Sequence, residues 1–201
     1  ETAHQLGTPL SSLMAWVELL KSKEETKDMV LEMEKDVVRL ETITDRFSKI
    51  GSKPTLEDEN IVQVVLEATN YLKSRLPEKV SIELHSEKSS IIIPVSVVLL
   101  NWVIENICKN AVDAIKGKGE INISITEDTT NVIINITDTG DGIDPSLIQN
   151  IFKPGVTSKQ RGWGLGLSLS KRIVEEYHNG SIFVMKSAKG VGTTFTIRLP
   201  K

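Results

Sequence analysis

The segment Asp138-Thr-Gly140-Asp-Gly142-Ile143, continued by Phe152-Lys-Pro154-Gly-Val-Thr157-Ser-Lys159-Gln-Arg161 and Gly162-Trp-Gly164-Leu165-Gly166-Leu167, organises this chain. Just before it, Val132, Ile134 and Ile136 alternate with less apolar positions, the period of a strand with one buried face. Such a strand delivers the Asp138 carboxylate to the mouth of a cavity, where two glycines let a flat ligand approach the backbone. A carboxylate accepts from the exocyclic amine of adenine. Guanine's carbonyl in the same place would set two acceptors against each other, at a cost of about 1–3 kcal/mol. The Gly-x-Gly-x-Gly run opens the apolar stretch Leu165 to Ile173, so free N–H groups at a helix N-terminus are expected to face an anion such as phosphate. A glycine run alone also reads as a tight turn before a helix; the ordered series is the specific signal.

The rest of the chain sets bounds on that reading. At 201 residues, 39% hydrophobic and 25% charged, the chain suits one medium domain plus a smaller element. A net charge of −3 argues against general nucleic-acid binding. The single cysteine, Cys108, excludes a disulfide framework and reads as an inert core thiol in an apolar helical run. No run approaches the about 18 apolar residues of a membrane span. The chain has no initiator Met or signal peptide and starts inside an apparent helix, so it is expected to be part of a longer protein.

From the N-terminus, Leu6, Leu10, Leu13, Val17 and Leu20 form the stripe of an amphipathic helix. A polar break at Glu24, Glu25, Lys27 and Asp28 follows, and the stripe resumes at Met29, Met33, Val37, Leu40, Ile43 or Thr44, and Phe47, ending near Gly51 and Pro54. Residues 1–50 are therefore expected to form an antiparallel helical hairpin. One hairpin cannot cover both of its apolar faces, which predicts a homodimeric four-helix bundle.

Past a boundary at 51–56, residues 56–201 read as an α+β two-layer sandwich, a mixed sheet covered on one face by three helices. Helices are expected at Ile61 to Leu76, Val95 to Ile115 and Leu165 to Tyr177. Strands are expected at Val80 to Leu84, Ser90 to Ile93, Glu120 to Thr126, Val132 to Thr137, Ser181 to Lys186 and Thr193 to Leu199. The long helix carries Glu105-Asn106-Ile-Cys-Lys109-Asn110-Ala-Val-Asp113. Asn106 and Asn110 share a face, and an amide oxygen is a hard ligand suited to Mg²⁺, which binds proteins through few groups plus substrate phosphates. In isolation that pair would read as helix-surface polarity; ahead of Asp138-x-Gly140-x-Gly142 it does not.

These blocks, in this order, resemble the catalytic ATP-binding domain of bacterial sensor histidine kinases, within the wider family that includes gyrase, Hsp90 and MutL ATPases. The series comprises the Asn helix, Asp138-x-Gly-x-Gly, Phe152-x-Pro154, Gly162-x-Gly164-x-Gly166 and Gly190-x-Gly192-Thr193. The resemblance implies that adenine rests on Asp138, with Gly140, Gly142, Ile143 and Thr193 around it. It implies that Asn106, Lys109, Asn110 and Asp113 serve the nucleotide from the helix, with Mg²⁺ on Asn110. A lid from Asn150 to Arg161 brings Phe152, Thr157, Lys159 and Arg161, the last two to neutralise the transferring γ-phosphoryl group. Gly162, Gly164, Leu165, Gly166 and Leu167 close the phosphate side.

The ATPase members of the wider family place a water-activating glutamate where this chain has Asn106, and an amide cannot take that proton. The resemblance therefore implies phosphoryl transfer to a protein acceptor rather than hydrolysis. The acceptor is expected on the hairpin, where His4-Gln5-Leu6-Gly7-Thr8-Pro9-Leu10 resembles the phosphoacceptor box of the same kinases. His4 would receive the phosphoryl group as neutral imidazole and pass it to an aspartate of a response-regulator receiver domain, docked around Gly7, Ser11, Met14 and Ala15. Gln5 stands where the family has an acidic residue. It can fix the imidazole tautomer but cannot act as a base, which implies slower kinase chemistry, by roughly 10²-fold if that proton must leave. Thr8 matches the position associated with phosphatase activity, and reads equally as a turn hydroxyl beside Pro9. His85 and His178 read as surface residues. A cytoplasmic location is expected for this portion, since that is where ATP is, whether or not the parent protein is anchored in a membrane.

Overall fold

The computed structural model describes residues 13–18, 20, 30, 33, 34, 37, 54–157 and 164–201, and the chain falls into two compact units, Glu1–Pro54 and Thr55–Lys201. In the first unit the described residues other than Pro54 are helical. Val17, Val30 and Val37 are buried together, with Leu20 packed against them. Leu13 and Met33, both expected on the apolar stripe, are exposed, as are Met14 and Trp16. Val37, expected on the second stripe, is buried, as is Val30, which was not named on it; the expected Met29 lies outside the described residues.

The second unit is the expected α+β sandwich. Its elements run β1 (Glu57–Asn60), α1 (Ile61–Lys73), β2 (Val80–Ser86), β3 (Ile92–Val95), α2 (Val97–Ala114), β4 (Gly119–Glu127), β5 (Asn131–Asp138), a single turn α3 (Pro145–Ile148), α4 (Gly166–Arg172) passing into a π turn at Ile173–Tyr177, then β6 (Ser181–Ala188) and β7 (Gly192–Pro200). Five strands form one sheet in the order β2-β4-β5-β7-β6. The β2–β4 pair is parallel and the other pairs are antiparallel.

The core lies on one face of that sheet. Val132, Ile134 and Ile136 of β5 pair with Leu199, Ile197 and Phe195 of β7, while Ile134 and Ile136 also pair with Ile125 and Ile123 of β4. All of these side chains are buried. Leu100, Ile104 and Ile107 of α2 are buried at under 2% exposure and complete the core. The same alternation that fills the core places Asp138 at its rim, opposite Ile121 on one side and Thr193 on the other.

Several features differ from expectation, among them the turn α3, which was not foreseen, and the start of α2 at Val97 rather than Val95, which instead closes β3. Strand β1, an acidic Glu-Asp-Glu-Asn run, pairs with β3 in a separate two-stranded sheet and was not foreseen. Its last residue joins three elements: the Asn60 side chain accepts from Val62 N at 3.2 Å as the α1 cap and from Ile91 N at 3.1 Å before β3. Strand β3 lies at Ile92–Val95 rather than at Ser90 to Ile93. Helix α1 ends at Lys73, three residues short of Leu76, because Pro77 disfavours helical backbone at the residue before it.

Candidate nucleotide site

Asp138 ends β5 with 4% of its surface exposed. Burial pushes its carboxyl above the usual range, opposed by the backbone N–H groups of Gly140 and Thr193. Gly140 N donates to Asp138 Oδ1 at 2.8 Å. A carboxylate offers about four lone-pair sites, so two backbone donors leave capacity for a ligand amine.

The glycines around Asp138 are fixed by close approach. A Cβ on Gly140 would lie 2.7 Å from the Ala114 carbonyl carbon, so the turn after β5 sits on the end of α2, where Asp141 N also donates to Ala114 O at 3.0 Å. Gly142 has φ +73° and lies against the Ala188 backbone. Ile143 N donates to Ser187 Oγ at 2.8 Å, and Ser187 Oγ shares a 2.9 Å hydrogen bond with Thr193 Oγ1. Gly192, at φ +126°, lies against the Asp138 carbonyl. Asp138, Gly140, Gly142, Ile143 and Thr193 are thus gathered at one place. Lys116 Nζ pairs with Asp141 Oδ2 at 2.5 Å beside them, an exposed ion pair that also raises the lysine's pKa.

The second group gathers at the middle of α2. Asn106 lies against Gly166, the first residue of α4: an ideal Cβ there would be 2.5 Å from Asn106 Oδ1 and 3.0 Å from Nδ2. Asn106 Nδ2 donates to Ser170 Oγ at 2.9 Å, and Ser170 Oγ donates to Gly166 O at 3.1 Å. Asn110 is half-buried, whereas Lys109 and Asp113 are exposed. Asn106 and Ala114 are about 12 Å apart along the helix axis, so α2 spans both groups as the two ends of an extended ligand would require.

Phe152 stacks edge-on against Phe195 with ring centroids 6.3 Å apart, and Lys171 Nζ lies 5.6 Å over the same ring. Gly155 N donates to Gly164 O at 3.0 Å, and Thr157, Leu165 and Leu167 lie along the adjoining chain. His4, Gln5, Thr8, Lys159, Arg161, Gly162, Gly7 and Ser11 lie outside the described residues. Among the described residues no three His, Cys, Asp or Glu side chains converge as a metal cage, and no helix is long and apolar enough to cross a membrane. The amide oxygens fit Mg²⁺ held by few protein groups together with ligand phosphates.

One histidine reading is corrected. His178 is not a surface residue: it is 2% exposed, its Nε2 accepts from Ser96 N at 3.0 Å and its Nδ1 donates to Ile173 O at 2.9 Å. The π turn carries it under the start of α2. Burial lowers its pKa, against the raising effect of the Ile173 hydrogen bond. His85 is exposed, as expected. Ser170 and Ser187 were not singled out from sequence, because a serine in a helix or a strand carries no periodic signal of its partner.

Residues 95–201 match the family described as histidine kinase-, DNA gyrase B- and HSP90-like ATPase, and residues 1–53 match the His kinase A (phospho-acceptor) domain. The chain belongs to the sensor histidine kinase family. Within that family, it is 31% identical over 209 residues to Sporulation kinase D of Bacillus subtilis (strain 168), covering 99% of this chain and 40% of the relative. It is 34% identical over 209 residues to the signal transduction histidine-protein kinase AtoS of Escherichia coli (strain K12), covering 98% of this chain and 33% of the relative. The chain spans less than half the length of these curated kinases.

The fold is shared with solved histidine kinases. The catalytic domain of ThkA matches with a TM-score of 0.67 at 23% identity, over 74% of this chain and 97% of that one. Full-length ShkA in complex with AMPPNP matches with a TM-score of 0.83 at 21% identity, over 99% of this chain and 44% of that one.

Proposed function

We propose that this chain binds Mg²⁺ and ATP in the larger unit and transfers the γ-phosphoryl group to His4, from which it passes to an aspartate of a response-regulator receiver domain. The observation that carries the reading is the buried Asp138 carboxylate at one end of α2, with the Asn106 amide beside Gly166 further along the same helix. Asp138 accepts from the adenine amine. Asn110 and Asn106 supply amide oxygens on the phosphate side, where Mg²⁺, when bound, neutralises phosphate charge. Lys159 and Arg161 lend positive charge to the transferring group. In the transfer an unprotonated His4 nitrogen forms the new P–N bond as the bond from the γ-phosphorus to the ADP oxygen breaks, and the ring proton is released to solvent or to Gln5-bound water.

The AMPPNP held by full-length ShkA supports a nucleotide ligand, and the complex of ThkA with response regulator TrrA supports the receiver partner. Exposed Leu13, Trp16 and Met33 support a homodimer through the hairpin, and exposed Met14 and Ala15 suit receiver docking. The activity belongs in the cytoplasm, with neither nucleic acid nor a membrane in contact with this portion. Asn106, an amide where the ATPase members carry a base, favours transfer over hydrolysis.

The test incubates the chain with γ-labelled ATP. Acid-labile label that disappears in His4→Ala is expected. Acid-stable label, or label that survives the substitution, overturns the assignment. Gln5 favours one second reading, a chain biased toward dephosphorylating its partner; a phosphorylated receiver losing label faster in the presence of the chain, with Thr8→Ala abolishing the effect, would establish it.

A further inference from the structure

Ser170 is completely buried on α4 and its hydroxyl is committed on both sides. Its proton goes to Gly166 O at 3.1 Å, one turn back along the helix, so toward α2 the oxygen presents only a lone pair. A lone pair is satisfied by the NH₂ half of the Asn106 amide and repelled by its oxygen half, and the structure has Nδ2 there at 2.9 Å. The two ends of a primary amide are opposed, so this contact turns Oδ1 away from Ser170. Oδ1 comes to rest where a side chain on Gly166 would begin, 2.5 Å from the ideal Cβ position. The absence of a side chain at Gly166 and the buried hydroxyl at Ser170 therefore act together on one rotamer.

We propose that Ser170 is a positioning residue: it holds Asn106 with its carbonyl oxygen toward the glycine-rich start of α4, so that this side chain meets the magnesium shell of the nucleotide rather than a phosphate oxygen. An amide oxygen only accepts or ligates, and phosphate oxygens at neutral pH only accept, so the observed orientation suits a cation or a water bound to it. The inference rests on the reading that this site holds Mg²⁺ and ATP. Groups that orient a ligand to a metal commonly change metal affinity by about 10- to 100-fold when removed.

The experiment measures affinity of the full chain for a non-hydrolysable ATP analogue by calorimetry, with Mg²⁺ and separately with excess chelator. Ser170→Ala is expected to weaken binding about tenfold with Mg²⁺ and to leave chelator binding unchanged. In an Asn106→Ala background the same substitution should add nothing, since the two act as one unit. Ser170→Cys keeps the packing but offers a weak acceptor, and should give a smaller loss in the same direction, which guards against a folding defect in the alanine variant. Equal weakening with and without Mg²⁺, or an undiminished effect in the Asn106→Ala background, overturns the proposal and leaves the nucleotide reading standing. A wild-type chain that takes up no nucleotide in either condition overturns both.

Discussion

Asp138 and His178 are both buried ionisable groups, with opposite consequences for stability. The Asp138 pKa is raised in the folded chain, so its contribution is fully present below the unfolded value of about 3.8 and is lost as pH rises through the folded pKa; at neutral pH the charge is held at a cost. Asp138→Asn should therefore leave thermal stability at pH 7 unchanged or slightly higher. It should weaken adenine-nucleotide binding by about 1.5–3 kcal/mol, the range for a hydrogen bond to a charged group, measured by calorimetry. For His178 the folded pKa is lowered, so its contribution is full above the unfolded value of 6.5 and is lost as pH falls through the folded pKa. Protonation would set a second N–H against the Ser96 N–H. Chemical denaturation of the wild type at pH 5 to 7.5 should show stability declining toward acid, and a His178→Gln variant should lose that slope. His178→Ala leaves the part-buried Ser96 N–H unpaired, at about 1–3 kcal/mol, and removes the ring's bond to Ile173 O.

At the scale of elements, α2 is the spine of the site and α4 is fitted to it through a position with no side chain. Gly166→Ala should push the Asn106 amide out of place, reducing nucleotide affinity about tenfold while circular dichroism stays native. The periodic elements were the legible ones: β5 declared itself through Val132, Ile134 and Ile136, and the two asparagines of α2 through their four-residue spacing. What escaped the sequence was set by partners far along the chain. The Glu57–Asn60 run has no apolar alternation and becomes a strand only because β3 lies beside it. Pro94 obscured β3, yet it is tolerated because the two-stranded sheet leaves it at an edge opposite Asp58. His178, flanked by Glu175, Glu176 and Asn179, looked solvated; the widened π turn, which no residue pattern announces, takes it inside. Asp138 and Asn106 were singled out from motif order, whereas Ser170, 64 residues from its partner Asn106, carries no such signal.

For the whole molecule, the division at Pro54 and Thr55 makes a separable prediction. Residues 55–201 expressed alone should unfold in one cooperative transition and bind the ATP analogue as the full chain does, yet acquire no acid-labile label from γ-labelled ATP; label appearing on that piece would place an acceptor in the larger unit. A last consequence comes from Cys108, the single cysteine, buried in α2 between Asn106 and Asn110, its thiol pushed up to about 12 by burial and then by Glu105. In the closed protein neither thiolate nor access is available, so a disulfide reagent such as Ellman's should react only through rare opening of the spine helix. The absorbance trace then becomes a built-in clock for that opening, and saturating ATP analogue should slow it in proportion to how firmly the nucleotide clamps α2, with no label or tag added to the chain.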